Sequence, residues 1–243
     1  MSELSNYIDE YLKTEYTLKS TLKDSVQSSV YLYQKNDSAK QIVKISQKNR
    51  NDHVLRRLRG QLNKNTATIY QECSNDEDVT VLEEYISGAT LRHIVEANGG
   101  TLKRELAVKY ALDICNGLVF IHSLGIIHRD IKPSNIIITE QGEAVIIDFG
   151  IARLTDDSKY ADTKNLGTAG YAAPEQFGIY QSGPVTDIYA VGVLLNELLL
   201  GVHPTIDTPK GKLGKVINKC IMAQMSKRYQ NVSELAEVLN KLL

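Results

Sequence analysis

The sequence contains few of the features on which disulfide-rich, zinc-binding or nucleic-acid-binding proteins depend. Its three cysteines, Cys73, Cys115 and Cys220, lie far apart and form no C-x-x-C pair, which argues against a disulfide framework and a zinc site. The formal net charge is only -1 over 243 residues, so no strong field attracts nucleic acid or an anionic membrane. We therefore expect buried thiols, a reducing compartment and no nucleic-acid partner.

Long hydrophobic runs are also missing. The first four residues are polar apart from Met1 and Leu4, and no apolar run of the kind found in signal peptides follows them. The most apolar stretch, residues 189–200, is interrupted by Asn196 and Glu197 and is too short to span a bilayer. These absences favour a soluble, cytoplasmic protein without a membrane segment.

The order of the predicted elements indicates an α+β protein with two lobes. Apolar patterning predicts strands over 16–23, 28–34, 41–46, 68–73 and 79–86, and a short basic helix carrying Leu55, Leu58 and Leu62. Helices then dominate, over 103–123, 187–200 and a last one capped by Ser233. This order predicts a small antiparallel β-rich lobe in residues 1–86 and a larger helical lobe in 87–243, with a ligand site in a cleft near their join.

The first fifteen residues are expected to add a short helix to the small lobe. Four apolar residues would share one face of this helix: Leu4, Ile8, Tyr11 and Leu12. That face would pack on the small lobe or on a partner.

Polar residues cluster in the segment 128–135, which follows a predicted helix. Asp130 can accept a proton or orient a hydroxyl nucleophile, and Lys132 brings a positive charge suited to phosphate oxygens. Asn135 offers an amide oxygen that suits a hard cation such as Mg²⁺. A predicted hairpin over 136–147 returns the chain to Asp148, a second carboxylate for a metal ion, followed closely by Gly150, which frees the backbone.

Three motifs, in this order, resemble those of the protein kinases. They are His128-Arg129-Asp130-Ile131-Lys132-Pro133-Ser134-Asn135 for H-R-D-x-K-x-x-N, Asp148-Phe149-Gly150 for D-F-G and Ala173-Pro174-Glu175 for A-P-E. The resemblance extends from about residue 16 to the C-terminal helix, and residues 170–176 look like bacterial serine/threonine kinases. It implies the two-lobed protein-kinase-like fold and an ATP- and Mg²⁺-dependent kinase that phosphorylates serine or threonine in a protein substrate.

The resemblance assigns catalytic roles residue by residue. Asp130 would be the catalytic base, Lys132 would steady the γ-phosphate, and Asn135 and Asp148 would hold Mg²⁺. Thr168 would contact Asp130 and Lys132, in a segment that favours a hydroxyl amino acid other than tyrosine as acceptor.

Two further assignments are structural. Asp187 matches the buried helix aspartate that orients the catalytic loop. Arg228 matches the arginine that pairs with the glutamate of A-P-E, here Glu175.

The same resemblance implies contacts with the nucleotide. Lys44 matches the strand lysine that grips the α- and β-phosphates of ATP. The other implied contacts are Ser25 and Ser28 in the phosphate loop, Val30 and Ile42 around the adenine, Glu84 and Ile86 in the hinge, and Ile137 beneath the base.

The phosphate loop departs from the family pattern. Lys23, Ser25 and Ser28 occupy the three glycine positions, where glycine would let backbone amides approach phosphate closely. We expect a less flexible loop with weak phosphate contacts, to which Lys23 could add charge. Ile42 replaces an alanine and should crowd the adenine.

The carboxylate partner of Lys44 is a second departure. Asn51 occupies the position of the helix glutamate that pairs with this lysine in the family. Two substitutes stay open: Asp52, one residue further along the helix, and Glu83, at the position just before the hinge.

Two rival functions and one regulatory hypothesis follow from these patterns. A pseudokinase acting as a binding or scaffold module is favoured by the altered small lobe and opposed by the retained Asp130, Asn135 and Asp148. A phosphotransferase acting on small molecules is opposed by residues 167–175, which resemble a peptide-docking segment. Autophosphorylation of Thr163, and secondarily of Ser158, is predicted to order residues 148–175 by pairing with Arg129. The alternative is that these are solvated loop hydroxyls.

Overall fold

The computed structural model describes residues 3–26, 28–47, 52–74, 78–156, 167–177 and 181–243, with the backbone alone for residues 3–6. The predictions for Asn51, Ser158 and Thr163, and for the side chain of Leu4, fall outside this description. The chain forms two compact units, one of residues 1–63 and 67–86, the other of residues 64–66 and 87–243.

The first unit is rich in strands. Its elements are α1 (Glu3–Glu15), β1 (Tyr16–Asp24), β2 (Ser28–Lys35), β3 (Gln41–Gln47), α2 (Asp52–Leu58), β4 (Ile69–Ser74) and β5 (Val79–Glu84). The strands form one antiparallel sheet in the order β1-β2-β3-β5-β4. The β2–β3 turn passes through Asp37, whose φ of 58° lies in a region that aspartate tolerates better than most residues.

The second unit is mainly helical. Its elements are β6 (Gly88–Thr90), α3 (Leu91–Ala97), α4 (Arg104–Ser123), β7 (Ile126–Ile127), β8 (Ile136–Thr139), β9 (Ala144–Ile146), β10 (Arg153–Leu154), α5 (Pro184–Leu200), α6 (Gly211–Cys220) and α7 (Val232–Asn240). Strands β6, β8 and β9 form one small sheet, and β7 pairs with β10. The predicted α+β class, with a β-rich N-terminal part and a helical C-terminal part, is confirmed.

Helix α1 packs on the sheet of the first unit. Its apolar residues Ile8 and Leu12 are buried with Tyr16, Ile42 and Leu82 in one cluster. Tyr11, which was expected to share this face, is 39% exposed and contacts the ring of Tyr16 by its edge. Burial of a leucine or isoleucine side chain contributes about 1.5–3 kcal/mol, so the cluster makes α1 part of this unit.

Helix α2 lies on the opposite face of the same sheet. Side chains alternate along β3, so Ile42 and Lys44 point to the face that α1 covers, while Ile45 points to the other. Ile45 aligns with Val81, and Val81 aligns with Glu72 of β4.

Two arginines, Arg56 of α2 and Arg59 just after its end, reach that second face. The Arg56 Nε and the Arg59 guanidinium lie 3.4 Å and 3.6 Å from the Glu72 carboxylate. The sheet therefore separates α1 from α2.

Helices α4 and α5 form the centre of the second unit. They pack against each other, α7 packs on α4, and α6 packs on α5. Each of the two central helices ends close to a glycine in the left-handed region, Gly125 with φ 69° and Gly201 with φ 68°.

Two details of the predicted helices are wrong. Helix α2 ends at Leu58, so Leu62 lies beyond it and is 76% exposed. Helix α7 begins one residue before Ser233, because Asn231 caps it by accepting a hydrogen bond from the backbone N–H of Glu234. Asparagine and serine are about equally good caps, so residue type alone could not choose between them.

Candidate active site

The backbone of the loop after β7 is held by a buried carboxylate on α5. The two oxygens of Asp187 accept hydrogen bonds from the backbone N–H groups of His128, at 3.0 Å, and Arg129, at 2.8 Å. His122, in the last turn of α4, lies 2.7 Å from the same carboxylate. Arg129 has φ 66°, and these bonds stabilise that uncommon conformation.

Two histidines lie close to this carboxylate. Burial by itself would raise the pKa of Asp187, but the hydrogen bond from His122 and the nearby His128 bring its pKa below the usual value. Burial lowers the pKa of His128, against the raising effect of Asp187, Asp148 and Asp130. Asp187 is therefore a fixed anion that anchors the loop.

The carboxylate of Asp130 is the centre of a polar network in this loop. Its Oδ2 accepts hydrogen bonds from the Lys132 Nζ at 2.7 Å and from the Asn135 amide nitrogen at 2.9 Å. Its Oδ1 accepts a hydrogen bond from the Thr168 hydroxyl at 2.8 Å. The Lys132 ammonium also donates to the Thr168 hydroxyl, at 2.6 Å. The contacts of Thr168 with Asp130 and Lys132 that the sequence predicted are thus present.

This network shows what the site can do chemically. Asp130 accepts a hydroxyl hydrogen, and an ammonium group stands beside the same hydroxyl oxygen. The side chain of Asp130 is 14% exposed, so a second hydroxyl could reach it from solvent. A carboxylate and a cation around one hydroxyl are the groups needed to orient an alcohol for attack on a phosphate.

Asn135 and Asp148 are brought together by the hairpin of β8 and β9. The backbone N–H of Ile147 donates to the Asn135 carbonyl at 3.0 Å, so Asp148 follows directly beside Asn135. Asp148 is exposed, has φ 66° and accepts a hydrogen bond from the Gly150 N–H at 3.0 Å. Phe149 is buried, with its ring centroid 5.2 Å from that of His128.

The donor set at Asn135 and Asp148 fits a magnesium ion that also binds phosphate. Since the Asn135 amide nitrogen donates to Asp130, the amide oxygen is the atom left to serve as a ligand. Mg²⁺ usually takes one or two carboxylates and completes its shell with phosphate oxygens and water. Among the described residues, no group of three or more His, Cys, Asp or Glu side chains could hold a metal by itself.

The segment 167–177 is fastened to the same loop. The Gln176 amide nitrogen donates to the Arg129 carbonyl, and the Gln176 amide oxygen accepts from the Ala173 N–H, both at 3.0 Å. Gly167 has φ 126°, and a Cβ there would lie 2.8 Å from Gln176. The hydrogen bonds of Gln176 therefore hold in place the segment that positions Thr168 beside Asp130.

A buried ion pair holds the other end of this segment. The Arg228 guanidinium donates to both oxygens of Glu175, at 2.7 Å and 2.8 Å, with side chains 0% and 2% exposed. The hydroxyl of Thr186 also donates to Glu175, at 2.9 Å. The pairing of Glu175 with Arg228 predicted from the sequence is present.

The first unit does not bring its predicted nucleotide contacts together. Val30 aligns with Ile45, so it points to the α2 face of the sheet. Ile42 and Lys44 point to the opposite face, where Ile42 is 2% exposed beneath α1. The strand register contradicts the prediction that Val30, Ile42 and Lys44 line one site, because the β2–β3 hairpin places them on two faces.

Lys44 has a partner that the sequence did not suggest. Its Nζ lies 2.5 Å from the Asp9 carboxylate of α1. Glu83 aligns with Val43, on the other face of the sheet, and Asp52 begins α2 on that same face. Both substitutes proposed for the missing helix glutamate are therefore wrong.

The other residues predicted to contact the nucleotide differ in their hydrogen bonds and in their burial. Ser25 and Ser28 close a turn on each other, with the Ser25 N–H and hydroxyl donating to the Ser28 carbonyl and the Ser28 N–H donating to the Ser25 hydroxyl. The Glu84 N–H donates to the Thr68 carbonyl at 2.9 Å. Ile86 and Ile137 are half-buried.

Two contributing residues were missed by sequence reasoning. Asp9 is 35 positions from Lys44, and no motif or spacing connects them. His122 lies on the helix before the loop 128–135, and its position in the last turn of α4 was its only signal in the sequence.

Comparison with known proteins places these features in one family. The family model described as the protein kinase domain matches residues 14–243. A probable serine/threonine-protein kinase of Clostridium acetobutylicum is 33% identical over 207 residues, which are 74% of this chain and 31% of that protein. A probable serine/threonine-protein kinase of Clostridium perfringens is 31% identical over 223 residues, 79% of this chain and 32% of that protein.

Another relative has a higher sequence identity over a shorter part of the chain. The serine/threonine-protein kinase PknB of Mycolicibacterium smegmatis is 40% identical over 133 residues, 53% of this chain and 21% of that protein. The chain spans about a third of the length of the clostridial relatives it matches. None of the helices in the described part of the chain is long and apolar enough to cross a membrane.

Proposed function

Since this chain belongs to the protein kinase domain family, we propose that it transfers the γ-phosphate of ATP to serine or threonine hydroxyls of a protein substrate. One observation carries the proposal: the Asp130 carboxylate is bonded to both the Lys132 ammonium and the Thr168 hydroxyl. That arrangement already holds one hydroxyl group in the way that an acceptor hydroxyl would be held. The names of the clostridial and mycobacterial relatives support the same activity.

Asp130 acts as the base in the proposed reaction. The acceptor hydroxyl gives its hydrogen to Asp130 while its oxygen bonds to the γ-phosphorus, and the bond from that phosphorus to the β–γ bridging oxygen breaks. The products are the phosphorylated acceptor and ADP. The Lys132 ammonium lies 2.7 Å from Asp130, next to the position of the acceptor hydroxyl. From there Lys132 stabilises negative charge on the phosphoryl oxygens.

Asn135 and Asp148 are the residues that would hold Mg²⁺. When bound, Mg²⁺ neutralises charge on the phosphates of ATP. The Asn135 amide is oriented by its two hydrogen bonds to Asp130, so the metal ligand and the base are coupled. For the adenine we propose Val30, the backbone of Glu84 and Ile86, and Ile137.

Serine and threonine are the proposed acceptors because of Thr168. Its hydroxyl occupies the space beside Asp130 with a short aliphatic side chain, which suits another aliphatic hydroxyl. The segment that carries it is braced through Gln176 and Glu175, as expected of a surface that docks an extended peptide.

The proposed setting is a reducing, cytoplasmic one. All three cysteines are free and buried, and no disulfide constrains either unit. Labelling with a thiol reagent at the moment the cells are lysed under denaturing conditions would test this, since cysteines that were oxidised in the cell would not react after unfolding.

Acceptor specificity tests the proposal. Four peptides that differ only in carrying serine, threonine, tyrosine or alanine at one position are incubated with MgATP and the protein. We expect label on the serine and threonine peptides alone, and none with Asp148→Asn. Label on the tyrosine peptide alone would reject the proposed acceptor, and binding of MgATP without transfer to any peptide would favour a pseudokinase.

A further inference from the structure

The ammonium group of Lys44 is engaged on a covered face of the first unit. It lies 2.5 Å from Asp9, and the Lys44 side chain is only 15% exposed. Ile42, two residues earlier on the same face, is packed with Ile8 and Leu12 of α1. A ligand that paired with the Lys44 ammonium would have to compete with Asp9 of α1.

Displacement of α1 from the sheet would expose a substantial apolar surface. Ile8, Leu12 and Ile42 are each no more than 2% exposed. Exposing such side chains costs about 1.5–3 kcal/mol each. Asp9 and Lys44 therefore act as a polar anchor for a helix that is already held by its apolar face.

In the described part of the turn between β1 and β2, two backbone N–H groups are already engaged. The N–H groups of Ser25 and Ser28 both donate within the turn, at 3.0 Å and 3.1 Å. In phosphate loops such amides are the main ligands of the anion. A phosphate near this turn could not take these two amides as ligands while the turn stays closed, and a side-chain cation would contribute binding in their place.

Lys23 is placed to supply that cation. It aligns with Val30 on β2, and Val30 aligns with Ile45 on β3, so the three residues form one row across the α2 face. Lys23 is exposed at the end of β1, directly before the turn. Lys23 thus shares a face of the sheet with Val30, whereas Lys44 does not.

We propose that Lys23, and not Lys44, is the lysine of the first unit that contacts the nucleotide phosphates, while Lys44 anchors α1 through Asp9. This inference rests on the proposed function, since it takes Val30 to line the nucleotide site. It assigns to Lys23 a contact that the family pattern gives to the strand lysine, and to Lys44 a structural role.

MgATP affinity and thermal unfolding, measured on the same variants, test both halves. Lys23→Met should raise the Kd for MgATP about tenfold, because a charge-assisted hydrogen bond is lost, whereas Lys23→Arg should stay near the wild type. Lys19→Met is the matched control, since Lys19 is another exposed lysine of β1. Lys44→Met and Asp9→Asn should each lower the unfolding temperature and leave the Kd within about twofold.

The double variant gives an independent reading of the anchor. If Asp9 and Lys44 stabilise one another, the variant that lacks both should unfold at nearly the temperature of either single variant. Additive losses would overturn the anchor. A tenfold loss of affinity in Lys44→Met with none in Lys23→Met would overturn the assignment of Lys23.

Failure of the inference can be told apart from failure of the proposed function. Wild type that binds MgATP and is matched by Lys23→Met in affinity would reject the inference alone. Wild type that neither binds MgATP nor transfers phosphate would reject the proposed function, and the role of Lys23 with it.

Discussion

Individual side chains in the candidate active site have more than one partner, and Thr168 illustrates the consequence. Its hydroxyl donates to Asp130 and accepts from Lys132, so it fixes the distance between a base and a cation that are 2.7 Å apart. Without it, the two would still pair but would not be held against the segment 167–177. Thr168 is therefore a positioning residue whose loss should affect transfer more than folding.

We expect Thr168→Ala to lower kcat/KM for peptide phosphorylation by about 10²-fold, because a misplacement of about 1 Å at a reacting centre can cost that much. Thr168→Ser keeps the hydroxyl and should retain most of the activity. Steady-state kinetics with a serine peptide measures both. Equal activity of the alanine and serine variants would show that the hydroxyl does not position the site.

A second prediction at the residue scale concerns a buried thiol and the pH dependence of the free energy of unfolding. Burial raises the pKa of Cys220 to about 12 from a reference of 9.0. Above about pH 9 the unfolded thiol ionises while the folded one does not, so the free energy of unfolding should fall by about 1.4 kcal/mol per pH unit from this residue. That contribution is complete below pH 9 and is lost as pH rises toward 12.

Cys220→Ser removes the titrating group with little change of shape. Chemical denaturation at two pH values, about 8 and about 10, gives the free energy of unfolding of wild type and variant at each pH. We expect this free energy to fall less with rising pH in the variant than in the wild type. An identical fall in the two proteins would mean that the thiol is not shielded from ionisation.

At the scale of one element, the ends of helices were harder to predict than their apolar faces. The three buried positions of the last helix follow a clear 3.6-residue pattern, but two good capping residues, Asn231 and Ser233, stand two positions apart. The side chain of Asn231 accepts the bond at 2.9 Å. Helix α7 thus offers a matched pair for a stability measurement.

Asn231→Ala should lower the free energy of unfolding by about 1 kcal/mol, the usual cost of a lost N-cap. Ser233→Ala lies inside the helix and should change it by less than about 0.5 kcal/mol. Urea denaturation of both variants provides the comparison. A larger loss in Ser233→Ala would place the cap where the sequence first suggested.

The sequence predicts strand faces well and their surroundings less well. Alternation along β3 correctly groups Ile42 with Lys44, because the period of a strand is two. Which face meets α1 depends on the register of the β2–β3 hairpin, which a shift of one residue reverses. Asp9 could not be found from sequence, because its proximity to Lys44 arises only when α1 docks.

The second unit was more predictable for a physical reason. Asp130, Lys132 and Asn135 lie within six positions of each other, so local loop geometry already brings them together. Asp148 follows a short hairpin whose length leaves little choice. Only Thr168 required a motif, since 38 positions separate it from Asp130.

Across the whole second unit, long-range ion pairing fixes the candidate site to the helices behind it. Glu175 and Arg228 are 53 positions apart and fully desolvated. A buried charge left without its partner typically costs about 3–5 kcal/mol. This pair couples the segment that carries Thr168 to the C-terminal part of the chain.

Arg228→Met should therefore lower the free energy of unfolding by about 3–5 kcal/mol, because Glu175 would stay buried and unpaired. Adding Glu175→Gln to that variant should restore part of the loss. Denaturant titration of wild type, single and double variants measures the coupling. If Glu175→Gln lowers the free energy of unfolding by as much in the Arg228→Met background as in the wild type, the two residues do not pair directly.

The most direct test of kinase activity is the rate of γ-phosphate transfer from MgATP to a serine peptide by wild type and by Asp130→Asn, with MgATP affinity measured on the same samples. We predict transfer by the wild type, a fall of about 10²–10⁴-fold in Asp130→Asn, and equal affinity in both. Equal rates in the two proteins, or binding without transfer by the wild type, would contradict the role of Asp130 as the catalytic base.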